Sequence, residues 1–185
     1  MLLDNKVLDV LAEFSSDYTK RVYGREIARK LKMNQKTVSN TLKKLEKENV
    51  LKFEKQGKNK YYFLNKFNLQ IREIIKLIEI NKKVKLLEKY KNLKGLFNKL
   101  ERRSKGVLIV FGSYANFSAN EKSDLDLFLI GKISDIKDLE KTYGKKINII
   151  KSLKNKFNGK EYIVKEVIKN HVVLKGVEEF IDLIW

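Results

Sequence analysis

Val107-Leu108-Ile109-Val110-Phe111-Gly112-Ser113-Tyr114-Ala115, followed by Ser123-Asp124-Leu125-Asp126-Leu127, is the stretch on which the reading of this chain turns. The run from Val107 to Phe111 is short, apolar and β-branched, the pattern of a buried strand. Gly112-Ser113 breaks it. A glycine at that point lets backbone N–H groups approach a phosphate closely, and a serine hydroxyl can donate to the same group. Asp124 and Asp126 flank Leu125 at the start of a second apolar strand that continues through Ile130. Residues i and i+2 of a strand face the same side. The two carboxylates therefore project together, while Leu125 and Leu127 point the other way. Adjacent carboxylates repel each other. A hard divalent cation such as Mg²⁺ relieves the repulsion, because it takes carboxylate and phosphate oxygens together. A phosphate-cradling turn beside a carboxylate pair is suited to metal-assisted nucleotidyl transfer.

These residues carry a resemblance. Gly112-Ser113-x-Ala115 followed by Ser123-Asp124-x-Asp126-Leu127 resembles the signature of the minimal nucleotidyltransferase family, within the DNA polymerase β-like superfamily. The resemblance covers roughly residues 105 to 185. It implies that Gly112 and Ser113 hold a nucleoside triphosphate, as substrate or ligand, and that Asp124 and Asp126 are catalytic and bind Mg²⁺ or Mn²⁺. A third carboxylate on a later strand usually completes such a site. The matching strand here is Lys146-Ile147-Asn148-Ile149-Ile150, and the matching position holds Asn148. The Arg-Gly pair that often follows the alanine is replaced by Asn116-Phe117. The resemblance also implies an acceptor hydroxyl, which in related toxin–antitoxin pairs lies on a partner protein.

The chain has 185 residues and a net charge of +18. The charge is unevenly spread: residues 1–65 hold 15 basic and 8 acidic side chains, residues 66–106 hold 13 and 4, and residues 107–185 hold 13 and 11. The basic excess therefore lies in the first 106 residues, where it favours a polyanionic partner. The absence of cysteine excludes disulfides, thiol chemistry and cysteine–zinc sites. A single histidine, His171, excludes a histidine-rich metal cluster, and its place at the head of His171-Val172-Val173-Leu174 suits a strand edge or the core. No signal peptide and no apolar run long enough to span a bilayer is evident, so a cytoplasmic protein without a membrane partner is expected.

Within the first 65 residues, Val7, Leu8, Leu11 and Phe14 share one helical face, Ile27, Ala28 and Leu31 another, and Val38, Leu42 and Leu45 a third. Asn34 is placed to cap the third helix, about Gln35 to Glu48. The outer face of that helix carries Gln35, Lys36, Ser39, Asn40, Lys43 and Lys47. Leu51-Lys52-Phe53 and Tyr61-Tyr62-Phe63-Leu64 read as a β-hairpin around a basic, glycine-containing turn. Two helices joined by a tight turn and followed by a hairpin resemble a winged helix-turn-helix domain of the regulator type. The resemblance implies double-stranded DNA as partner. Gln35, Ser39 and Asn40 would meet base edges, and Lys36, Lys43, Lys47 and the wing lysines Lys55, Lys58 and Lys60 would meet phosphates.

Between the two parts, Ile71, Ile74, Ile75 and Ile78 form a stripe on a long helix, about 68–90, continued less regularly by Val84 and Leu87. Leu93, Leu96, Phe97 and Leu100 mark a second helix. The stripe suggests a homodimer. After Val107 strands and helices alternate, with a loop expected at 151–160. The resulting expectation is an α+β chain: a winged helix-turn-helix at 1–65, a helical linker at 66–104, and at 105–185 a small mixed sheet covered by helices on one face. Two functions are compatible with it. One is a DNA-binding protein that transfers a nucleoside monophosphate to a hydroxyl. The other is a transcription regulator whose C-terminal domain only senses nucleotide.

Overall fold

The apolar spacing of the first 65 residues resolves into the elements it predicts. In the computed structural model, which describes residues 4–157 and 161–185, the order is α1 (Asn5–Ala12), β1 (Val22–Tyr23), α2 (Gly24–Lys30), α3 (Gln35–Lys47), β2 (Leu51–Gln56) and β3 (Asn59–Leu64). The Asn34 side chain accepts from the Lys36 N–H at 2.8 Å and caps α3. Val38, Leu42 and Leu45 face inward and are buried. At the other end of α3, Asn49 takes a left-handed backbone. The buried Asn65 donates to its carbonyl oxygen and its side chain, both at 2.9 Å. The end of the hairpin is thereby tied to the end of the helix. The strands form an antiparallel sheet in the order β1-β3-β2. The ladder runs further than the sequence suggests: Lys55 pairs with Lys60 and Gln56 with Asn59, which leaves a two-residue turn, Gly57-Lys58. β1 is two residues long, too short to show a period, and the sequence gives no sign of it.

The next helices are α4 (Ile71–Lys89) and α5 (Lys94–Arg103). The chain divides into two units, residues 1–78 and 79–185, so the division falls within α4 rather than at a separate linker. Ile71, Ile74, Ile75 and Ile78 are between 0 and 3% exposed in the single chain. The stripe is already covered and so supplies no argument for a dimer. Val84, expected to continue it, is 46% exposed, and the buried position is Leu86.

The second unit is built on four strands: β4 (Ser104–Phe111), β5 (Leu125–Ile133), β6 (Ile147–Ser152) and β7 (His171–Lys175). Their order is β6-β5-β4-β7, with β5–β6 parallel and the other pairs antiparallel. The short helix α6 (Gly112–Ala115) follows β4, α7 (Lys137–Tyr143) joins β5 to β6, and α8 (Tyr162–Lys169) and α9 (Val177–Ile184) flank β7. Part of the expected 151–160 loop is strand and 3₁₀ turn, and residues 158–160 lie outside the described residues.

Helices cover both faces of this sheet, not one. Leu108, Val110, Leu127 and Leu129 pack with Leu86, Leu96, Phe97 and Leu100 from α4 and α5 and with Leu139 from α7. Val107, Ile109, Phe128 and Ile130 pack on the other side with Val164 and Val167 of α8 and Phe180 of α9. The unbroken run Val107–Val110 is fully buried at every residue, as expected of a strand with two covered faces. Among the described residues no helix is long and apolar enough to cross a membrane.

Gly106 and Gly131 face each other across the β4–β5 ladder, and a Cβ on either would overlap a carbonyl oxygen of the opposite strand. Gly131→Ala is expected to destabilise this unit by about 1–3 kcal/mol through forced backbone strain. Urea unfolding followed by the fluorescence of Trp185, the chain's single tryptophan, measures it, and an unchanged midpoint refutes it.

Candidate active site

β4 ends where its last residue, Phe111, pairs with Asp126 on one side and with His171 on the other. The next residue, Gly112, turns the chain with φ +66°. A Cβ there would lie 2.7 Å from Asp126 Oδ2, so the turn passes directly over the carboxylate and only glycine fits. The Ser113 carbonyl accepts from the N–H groups of Ser118 and Ala119 at 2.9 and 3.1 Å, which closes the following loop. Tyr114 is buried against Tyr90 with ring centroids 4.8 Å apart. The Tyr90 hydroxyl accepts from Ala119 N–H at 3.2 Å. Lys89 donates to the Phe117 carbonyl and Lys145 to the Glu121 carbonyl. The segment between Gly112 and Asp124 is thus held by side chains of α4 and of the turn before β6. Sequence spacing does not find these anchors, because they come from residues far apart in the chain.

Asp124 and Asp126 are faced by Asn148 of the neighbouring parallel strand β6 and by Lys146, the residue just before it. Leu125 pairs with Ile147 and Asp126 with Asn148. The Asn148 amide donates to Asp126 Oδ1 at 3.0 Å and to Asp124 Oδ2 at 3.4 Å. The Lys146 ammonium lies 3.2 Å from Asp124 Oδ2. The hydrogen bond from Lys146, aided by the Asn148 amide and the nearby Lys145 charge, holds the Asp124 carboxyl below the usual carboxylate range, against the opposing effect of desolvation. The repulsion that would call for a cation is therefore partly relieved by the protein itself. Lys146, just before β6, and its contact go unremarked in the sequence.

Among the described residues no group of three or more His, Cys, Asp or Glu side chains could hold a metal. The donor set at this point is two carboxylates. That suits Mg²⁺ or Mn²⁺ arriving with substrate phosphates, since Mg²⁺ is commonly bound by one or two carboxylates plus phosphate oxygens rather than by an all-protein cage.

Residues 91–182 match the family model of the nucleotidyltransferase domain. No curated protein and no solved structure gives a match. The nucleotidyltransferase match takes in all four strands of the second sheet and every residue of the site, Gly112, Ser113, Asp124, Asp126 and Asn148. It begins before β4, inside the segment expected to be a linker, because the 3₁₀ turn and α5 supply Leu93, Leu96, Phe97 and Leu100 to the same core. Nucleotidyltransferase domains work on nucleotides, typically with a divalent metal.

In the first unit, Gln35, Lys36, Ser39, Asn40, Lys43 and Lys47 all lie on the exposed face of α3. A cleft of about 390 Å³ is lined by Gln35, Lys36, Ser39 and Lys43 together with Tyr23 and Arg25, which the sequence reading did not single out. Arg25 belongs there because the first turn of α2 borders α3. Lys55 and Lys58 are exposed at the hairpin tip. Lys60 is not free in the same way: its ammonium sits over the Phe53 ring at 3.5 Å and 3.6 Å from Glu46.

His171 is buried, as its apolar surroundings in the sequence suggest. Its Nδ1 lies 2.7 Å from the Ile168 carbonyl oxygen, and its Nε2 lies 3.1 Å from Glu79, which also meets Lys82 at 3.0 Å. Burial lowers the Lys82 pKa, and Glu79 opposes that fall.

The Asp124 carboxyl titrates low in the folded chain. The stability its partners contribute is therefore present above the ordinary carboxylate range and lost as pH falls through the depressed value. Lys146→Ala is expected to return the Asp124 titration toward the ordinary range, read by carboxyl ¹³C chemical shifts in metal-free protein. An unmoved titration would assign the depression to another group.

Proposed function

We propose that the second unit binds a nucleoside triphosphate with Mg²⁺ or Mn²⁺ and transfers a nucleoside monophosphate to a hydroxyl, slowly. Gly112 and Ser113 hold the phosphates. Asp124 and Asp126 supply the oxygens for the metal, which when bound neutralises phosphate charge. The observation that carries this reading is the seating of Gly112 directly on Asp126, inside a stretch that matches a nucleotidyltransferase domain. It brings a glycine turn and the carboxylate pair to one point, as the chemistry needs. In the transfer an acceptor oxygen bonds to the α-phosphorus, pyrophosphate leaves, and the acceptor's proton must go to a base. Asn148 occupies the place from which a carboxylate would accept that proton, and an amide cannot. Loss of a general base lowers a rate by about 10²–10⁴-fold.

The same asparagine favours a second reading, in which this unit senses nucleotide without turnover. Its amide is spent on both carboxylates. Both readings require Mg²⁺-dependent nucleotide binding, lost in Asp124→Ala and in Asp126→Ala by calorimetry. They separate on labelled nucleotide transfer: Asn148→Asp raises transfer about 10²–10⁴-fold over the unmodified chain if the missing base limits it. No nucleotide binding overturns both readings, and brisk transfer by the unmodified chain overturns the role given to Asn148.

The first unit is proposed to bind double-stranded DNA as a winged helix-turn-helix. Support comes from the exposed polar and basic face of α3, its cleft with Arg25, and the lysines at the hairpin tip. Lys36 and Lys43 are expected to contribute uniformly across sequences and with steep salt dependence. Gln35→Ala or Asn40→Ala is expected to relax sequence preference by about 1–3 kcal/mol per lost base contact. A mobility-shift titration at low salt measures both effects, and no duplex binding there refutes the assignment.

A further inference from the structure

The carboxylate pair is matched, residue for residue, by a pair of donors. Asp126 lies on β5 and Asn148 beside it on β6, while Asp124 and Lys146 are the residues just before Leu125 and Ile147, the first pair of that register. The Asn148 hydrogen bonds and the Lys146 ion pair gather all four side chains at one point. The Leu125 N–H donates to the Lys146 carbonyl at 2.9 Å, which fixes the base of the lysine beside Asp124. Its ammonium reaches Asp124 at 3.2 Å, yet its side chain is 70% exposed and Asp124 is 40% exposed. The contact is therefore anchored at the backbone and free to swing at the tip. A metal ion approaching Asp124 meets a positive charge already in place.

Resting on the nucleotide-binding reading above, we infer that Lys146 is a built-in counter-ion that competes with the divalent metal for Asp124 and passes to the nucleotide's phosphates when both bind. Metal alone must displace the ammonium or bear its repulsion. Triphosphate offers the ammonium a stronger anionic partner and clears Asp124. Metal and triphosphate then favour each other's binding, and the coupling is reciprocal. Asn148, uncharged, keeps the two carboxylates together without competing for charge.

The test uses the full-length chain, Mn²⁺ followed by electron paramagnetic resonance, and inorganic triphosphate as a probe that carries no base. Lys146→Ala is expected to bind Mn²⁺ alone about two- to fivefold more tightly, the range for an exposed ion pair. It should also bind triphosphate more weakly and show a smaller mutual enhancement. Lys146→Arg should behave as the unmodified chain. Lys151→Ala removes the same charge from an exposed position further along β6 and should leave Mn²⁺ affinity unchanged. The gain should fade at high salt. Equal or weaker Mn²⁺ binding by Lys146→Ala overturns the inference while leaving the metal site standing, and so does an equal gain in Lys151→Ala. If neither the unmodified chain nor Lys146→Ala binds Mn²⁺ with or without triphosphate, the metal-binding reading itself fails, and the inference falls with it.

Discussion

The β4–β5 register is the constraint on which the second unit depends. It runs from the Ser104–Ile133 pair to Phe111–Asp126. At Gly106 and Gly131 the two backbones come too close for any Cβ, which admits one alignment and penalises its neighbours. A slip of one residue would reverse the faces of β5 and send Asp126 into the cluster of Leu108, Val110 and Leu96. The glycine pair and the catalytic-looking pair lie at opposite ends of the same ladder. Backbone crowding at one end thus sets which side chain meets Gly112 at the other.

Around that ladder, charge is handled locally. Asp124 and Asp126 both receive hydrogen bonds from the Asn148 amide of the next strand, and Asp124 an ion pair from Lys146 just before that strand. Glu79 is fully buried and ion-paired with Lys82, with the His171 ring beside it. A carboxylate taken out of water is costly unless paired. In both places the partners are fixed by strand or helix geometry: a parallel register in one case, the i, i+3 spacing of α4 in the other.

Much of this was legible in the sequence, for definite reasons. Val38, Leu42 and Leu45 announce α3 by period, and Asn34 announces its start, because both are local signals. The approach of Gly112 to Asp126 was legible because a strand, a turn and a second strand place them with little freedom. Cover on one face of the sheet was expected and two-sided cover was found, a feature the unbroken run Val107–Val110, with no polar residue to face water, already carried. Other features were not legible. β1 is too short to have a period. Arg25 joins the α3 cleft, and Tyr90 and Lys89 anchor the site loop, through tertiary contacts alone. The Ile71–Ile78 stripe looks the same in sequence whether its own chain or a second copy covers it, and only the folded chain decides.

Asparagine and aspartate have the same shape, and Asn148 sits in a strand register held by backbone pairing with Asp126. Their codons differ in a single base. The arrangement of two carboxylates and an amide is thus one nucleotide substitution away from three carboxylates, with no backbone to rebuild and no core to repack. A lineage carrying this chain can cross between a site of two carboxylates and one of three in a single mutational step, in either direction.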